Sequence, residues 1–154
     1  MILPNCQIQC SMQDIVIDDL IPHRDRMKLI AAAVEVDSDH AVTLSTVADS
    51  WPLLDGESVS PIVLIEVVAQ TAGVLSCWKK GANRSAYTAG VLTGINSAEF
   101  FVDAVPLGAE LITTVTNRYS LEDYEAMEGT VMMGEQCLCI IQLQIFGLRA
   151  APDV

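Results

Sequence analysis

One stretch of the chain, residues Pro61 to Trp78, constrains the fold more than any other. Its 18 residues are largely apolar, and Glu66 is the one charged residue among them. A helix that is apolar on every side is buried either in a bilayer or by protein. Because strand-like segments flank this stretch closely on both sides, we predict a helix wrapped by a sheet. Ser60 and Pro61 suit its start, and Gly81 its end after about Lys80.

Segments with β-strand character surround this helix. Residues 27–36 and His40–Val47 flank the turn sequence Asp37-Ser38-Asp39, which predicts a hairpin. Residues 48–60 carry Pro, Gly, Asp and Ser and are predicted to form a loop. Four more strands are predicted after the helix: Ala89–Phe101, Ala109–Tyr119, Glu125–Met133 and Gln136–Phe146. The predicted fold class is α+β, with a curved antiparallel sheet around one long central helix, in a single domain over residues 1–154.

Charge and cysteine content exclude several classes of function. A formal net charge of -12 argues against nucleic acid as a partner. The five cysteines show no zinc-ribbon or CxxC spacing, and no Gly-rich phosphate loop is present, so we expect no metal and no cofactor. The N-terminus has no basic region followed by an apolar stretch, which predicts a cytoplasmic protein without a signal peptide.

Four stretches of the sequence carry a resemblance to a known family. They are Ile21–Arg24 with Met27–Ile30, then Ile65–Gly73, Thr93–Phe100 and Val105–Leu111. In this order they resemble the hotdog-fold 3-hydroxyacyl-(acyl-carrier-protein) dehydratases of fatty-acid and polyene synthesis. The resemblance implies a hotdog domain that acts on thioesters of acyl carrier protein or coenzyme A. It also implies a homodimer or higher oligomer, or a heterodimer with a related hotdog subunit.

Dehydration of a 3-hydroxyacyl thioester needs a base for the α-proton, an acid for the departing hydroxyl and donors for the carbonyl. The resemblance assigns Glu66 as the helix carboxylate that handles the hydroxyl. The family's histidine ahead of the helix has no counterpart in residues 51–58. His23 is therefore the candidate base, with a structural role in its loop as the alternative. His40, at the hairpin turn, is interpreted as a surface residue.

Substrate binding is assigned to four further residues. Pro61 has no N–H, so the backbone N–H groups of Ile62 and Val63 are the candidate donors for the thioester carbonyl. Gln70 lies one turn after Glu66, either as a substrate contact or as the partner of a structural carboxylate. Arg24 belongs to a basic group with Arg26 and Lys28. This group and a second one, formed by Lys79, Lys80 and Arg84, are candidate contacts for the phosphate of an acidic carrier protein.

Three functions remain open at this stage. The first is a thioester dehydratase that uses Glu66 and His23. The second is an acyl-thioester hydrolase, because a helix carboxylate such as Glu66 supports hydrolysis without a histidine. The third is a non-catalytic hotdog subunit that pairs with an active dehydratase, which the missing histidine ahead of the helix suggests.

Overall fold

The computed structural model describes residues 15–81, 87–149 and 151 of the chain. Twelve elements follow one another in the order α1 Ile17–Leu20, a 3-10 turn Asp25–Met27, β1 Ala32–Val36, β2 His40–Thr46, β3 Leu54–Asp55, β4 Ser58–Val59, α2 Val63–Lys80, β5 Tyr87–Phe100, β6 Val105–Pro106, β7 Glu110–Leu121, β8 Tyr124–Met133 and β9 Gln136–Arg149.

Six strands form one antiparallel sheet in the order β1-β2-β7-β8-β9-β5. Helix α2 packs on one face of this sheet, mainly against β7, β2 and β8. Side chains alternate between buried and half-buried along β8, as one face against a helix requires. The α+β architecture predicted from the sequence is confirmed.

A glycine in β8 allows the helix to approach the sheet closely. A Cβ atom added at Gly129 would lie 2.2 Å from Cγ1 of Val68, which is fully buried on α2. Real Cβ atoms do not make contacts this short, so a side chain at position 129 would push α2 off the sheet. Gly129 therefore determines the depth at which α2 sits, and with it the position of Glu66 two residues before Val68.

Membrane insertion of the apolar helix was the alternative to wrapping by a sheet. Among the helices of residues 15–81 and 87–149, none has the length and hydropathy needed to span a bilayer.

Two sequence predictions need correction. Residues 48–60 are not a plain loop, because they contain the β3–β4 hairpin, which joins β6 in a second, three-stranded sheet. Gly56, at φ 63, takes the first position of its two-residue turn, where such hairpins favour glycine. The central helix begins at Val63, because Pro61 and Ile62 form a turn in which Val63 N–H donates to Ser60 O at 3.1 Å. Arg84 and the first two cysteines lie outside the described residues.

Candidate active site

A cavity of about 720 Å³, called here the α2 cavity, lies beside the central helix. One wall is a single face of α2, with residues at helical spacing: Glu66, Ala69, Gln70, Gly73, Ser76, Cys77 and Lys80. A second wall is formed by α1 and residues 21–24. Leu92 and Gly90 of β5, with Ile145 of β9, close a third side.

The two predicted catalytic residues meet in the wall of the α2 cavity. His23 Nε2 lies 3.0 Å from Glu66 Oε1, although 42 residues separate the two along the chain. About a third of each side chain is exposed. Glu66 is therefore not fully buried, although it lies on a helix that is otherwise largely apolar. His23 Nδ1 is buried without a hydrogen-bond partner among the described protein atoms. Nε2 is therefore the ring nitrogen that His23 presents to Glu66.

Gln70 holds Glu66 in place from one turn further along α2. Its Nε2 donates to Glu66 Oε1 at 2.9 Å and to Met27 O at 2.5 Å, while its Oε1 accepts from Leu29 N–H at 2.9 Å. Gln70 is 1% exposed, and these three bonds use both of its N–H groups. Gln70 thus connects α2 and Glu66 to the segment that leads into β1, and its predicted substrate contact stays a prediction.

Arg24 shapes the loop that carries His23. Its guanidinium donates to the backbone oxygens of Ile21, His23 and Asp18 at 2.7 to 2.8 Å. Lys28 Nζ lies 2.6 Å from Asp18 Oδ1, and this hydrogen bond lowers the pKa of the exposed Asp18 carboxyl. Arg24 and Lys28 of the first basic group thus both form ion pairs with Asp18. Its role in phosphate binding stays a prediction.

The predicted carbonyl donors lie apart from the catalytic pair. Ile62 N–H lies 3.4 Å from Ser60 Oγ, and Val63 N–H donates to Ser60 O. Ile62 and Val63 are not in the wall of the α2 cavity, where the structure places Glu66 and His23. Within the described chain these two donors are engaged in the start of the helix, and their role in polarising a thioester gains no support from this arrangement.

Sequence reasoning missed a buried polar cluster at the other end of α2. Glu125 of β8, 7% exposed, accepts from Ser76 Oγ at 2.6 Å, from Lys79 Nζ at 2.8 Å and from Asn117 Nδ2 at 3.2 Å. Lys79 therefore turns inward instead of lying in a carrier-binding surface. The sequence signal lay in β8, where every second residue faces inward. Glu125 is two residues before the inward-facing Met127 and therefore faces inward too, although it is charged.

Among the described residues, a group of potential metal ligands lies at the β1–β2 turn, outside the wall of the α2 cavity. Atoms of Glu35, Asp37 and His40 lie within 4.8 Å of one another. Both ring nitrogens of His40 already face a carboxylate, Nε2 at 2.9 Å from Glu35 and Nδ1 at 2.8 Å from Asp37. Asp37 also accepts from the backbone N–H groups of residues 39 and 40, which with His40 lower its pKa against the opposing effect of desolvation. This group is a hydrogen-bonded turn, and the interpretation of His40 as a surface residue did not include its two carboxylate partners.

Comparisons with known proteins show the family and the fold. A 3-hydroxyacyl-[acyl-carrier-protein] dehydratase FabZ of Streptococcus uberis is 36% identical over 105 residues, which cover 65% of this chain and 72% of that relative. A FabZ of Streptococcus pyogenes is 37% identical over 101 residues, covering 62% of this chain and 70% of that relative.

Two solved structures show the fold. The dehydratase heterocomplex ApeI:P from Xenorhabdus doucetiae superposes with a TM-score of 0.76 at 24% identity, covering 85% of this chain and 90% of that one. A hypothetical thioesterase with coenzyme A from Streptococcus pneumoniae has a TM-score of 0.61 at 15% identity, covering 76% and 84%. The predicted hotdog fold is confirmed. The model of the ApeP-like family, described as ApeP dehydratase, matches residues 15–152. The chain belongs to the ApeP-like dehydratase family.

Proposed function

We propose that this chain dehydrates 3-hydroxyacyl thioesters carried by acyl carrier protein, with His23 and Glu66 as its acid–base pair. The observation that carries the proposal is the 3.0 Å contact between His23 Nε2 and Glu66 Oε1 in the wall of the α2 cavity. The FabZ relatives act on 3-hydroxyacyl groups of this carrier by name, and the family match supports a dehydratase over a hydrolase or an inactive subunit.

The reaction needs two proton transfers at neighbouring carbons. A neutral His23 takes the α-proton at Nε2, and the electrons of that C–H bond form the double bond to C3. The C3–O bond breaks, and a protonated Glu66 donates its proton, so that the hydroxyl leaves as water. The products are an enoyl thioester, a histidinium and a carboxylate.

Direct contact between the two residues then restores the starting state. Histidinium and carboxylate lie within hydrogen-bond distance, so one proton passes from His23 to Glu66 without help from solvent. Gln70 keeps Oε1 of Glu66 in position for this transfer, through the hydrogen bond that its Nε2 donates at 2.9 Å. The pair therefore works without a metal or organic cofactor in the proposed cycle.

A second hotdog subunit is the partner that we propose for β5. This strand pairs with β9 along one edge, and the described residues put no strand on its other edge. Val91, Leu92 and Ile95 are 40 to 44% exposed, and Leu92 also lines the α2 cavity. A strand of the partner on this edge would satisfy the backbone groups of β5 and extend the cavity wall. The partner is a second copy or a related subunit.

The predicted cytoplasmic location stays a prediction.

Product analysis on purified protein tests the proposed reaction. The substrate is a 3-hydroxyacyl thioester on acyl carrier protein, and the enoyl product and free thiol are followed together. We expect enoyl thioester, with loss of activity in His23→Ala and Glu66→Gln. The matched controls are His40→Ala and Glu35→Gln, because this pair has the same contact at 2.9 Å outside the cavity. Thiol release without enoyl product would overturn the proposal in favour of hydrolysis, and no turnover until a related subunit is added would favour the non-catalytic alternative.

A further inference from the structure

Gly73 occupies a position in α2 where the backbone does not require glycine. Its φ is not in the left-handed region, and an added Cβ would meet Ile21 Cγ2 at 3.4 Å, an ordinary contact. Gly129 and Gly81 differ, since the first faces Val68 at 2.2 Å and the second has φ 42 at the end of the helix. Glycine in the middle of a helix lowers stability relative to alanine. The chain therefore carries a less stable residue at position 73 without a packing reason.

Gly73 faces the α2 cavity, which offers a reason. A second glycine, Gly90 of β5, lines the same cavity, and a Cβ there would also make an ordinary contact, at 3.5 Å from Ile145 Cγ2. Both glycines leave free the volume that a side chain would occupy. The two positions widen the cavity beyond the catalytic pair, on α2 and on the sheet.

The surroundings of Gly73 suit a hydrocarbon better than the amide-rich arm of a carrier. The cavity wall has its charged residues on α1, at residues 23–24, at Glu66 and at Lys80, and its apolar side chains include Ile21, Ala69 and Leu92. Its two uncharged polar side chains are both committed, since Gln70 makes three hydrogen bonds and Ser76 Oγ donates to Glu125. An amide placed there would lose its hydrogen bonds to water, whereas an alkyl chain would gain from burial.

We propose that Gly73 is a specificity-determining residue that keeps the α2 cavity open for a long acyl chain. This inference rests on the proposed function, because it places C2 and C3 of the substrate at His23 and Glu66. Gly73 lies two turns beyond Glu66, about 10 Å along the helix axis. A zigzag chain with bonds of about 1.5 Å advances roughly 1.3 Å per bond, so an acyl group of about 11 carbons first reaches Gly73.

The experiment compares a four-carbon with a twelve-carbon substrate in wild type, Gly73→Ala and Gly73→Leu. We expect the ratio of kcat/KM for the twelve-carbon over the four-carbon substrate to fall at least tenfold in Gly73→Leu. Gly73→Ala should raise Tm by about 2–4 °C, because alanine favours the helix, yet lower the same ratio. An equal loss at both chain lengths would place the carrier arm at Gly73 and overturn the proposal. An unchanged ratio in both variants would also overturn it.

Binding of unreactive analogues separates this inference from the proposed function. The probes are the butanoyl and dodecanoyl amides of pantetheine, titrated calorimetrically into the same three proteins. Tighter binding of the dodecanoyl amide by wild type, lost in Gly73→Leu, would show that Gly73 keeps the α2 cavity open for a long acyl chain, even if no dehydration is detected. Equal affinity of wild type for both amides would overturn the proposed role of Gly73, whereas the proposed dehydratase activity would not be affected.

Discussion

The contact between α2 and Gly129 predicts a large effect of a single methyl group. In Gly129→Ala the new Cβ would lie 2.2 Å from Cγ1 and 3.0 Å from Cγ2 of Val68, where carbon atoms normally stay about 3.5 Å or more apart. Overpacking of this kind costs about 1–3 kcal/mol. The loss of glycine flexibility in the unfolded chain offsets about 0.4–1 kcal/mol of it.

We therefore expect Gly129→Ala to lower the free energy of unfolding by about 1.3 kcal/mol. At roughly 2–4 °C per kcal/mol for a chain of this size, Tm falls by about 3–5 °C. Urea unfolding followed by circular dichroism measures the free energy, and a thermal scan measures Tm. Gly90→Ala is the matched control, because its Cβ makes an ordinary contact at 3.5 Å and should not lower the free energy of unfolding.

A double-mutant cycle identifies the cause. Val68→Ala removes the two methyl groups that the new Cβ would meet, at a cost of its own of about 2 kcal/mol. If the clash is the cause, the double variant loses at least about 1 kcal/mol less than the sum of the two single losses. Additive losses, or a Gly129→Ala protein as stable as wild type, would refute the claim that this glycine determines the depth of the helix.

Three further predictions follow from the polar groups of the sheet. Glu125→Ala should lower the free energy of unfolding, measured with urea, by about 3 kcal/mol, because it leaves Lys79 largely buried without its carboxylate. A loss below about 1 kcal/mol would contradict the claim that this polar cluster holds α2 on the sheet. Burial raises the pKa of the Cys139 thiol to about 12, so an alkylating reagent at pH 8 should leave Cys139 unlabelled, by peptide mass spectrometry, until denaturant is added. Hydrogen bonds from Arg118 and Gln142 lower the pKa of Glu128 below its ordinary 4.5, so this group adds stability above about pH 4.5 that is lost as the pH falls through the lowered value. Arg118→Gln should accordingly lower the free energy of unfolding at pH 7 by about 0.5 kcal/mol or less, with a slightly lower Tm. This difference in stability from wild type should shrink below pH 4.5, and a difference that does not depend on pH would exclude the linkage.

The main elements of the fold could be predicted from the sequence because their patterns are long. The apolar stretch that became α2 and the strand-like stretches that became β5, β7, β8 and β9 each extend over ten residues or more. The β3–β4 hairpin was missed because its strands have two residues each, too few for a period to be seen. Its signal was Gly56, in a turn that favours glycine.

The site could be predicted in part. Glu66 and His23 were found through their motifs, but their contact depends on how residues 21–24 fold over α2, which local pattern does not specify. Lys79 was predicted as a candidate contact for an acidic carrier protein because it belongs to a group of basic residues near the helix end. Its true partner, Glu125, lies 46 residues further along the chain, and side-chain parity in β8 was the available evidence.

The central claim is that His23 and Glu66 carry out dehydration as one unit. Its most direct test is kcat/KM for a 3-hydroxyacyl thioester in wild type, His23→Ala, Glu66→Gln and the double variant. We expect each single change to lower kcat/KM by about 100-fold or more, and the double variant to lose less than about tenfold beyond the worse single variant. A single variant within fivefold of wild type, or losses that multiply in the double variant, would contradict the account.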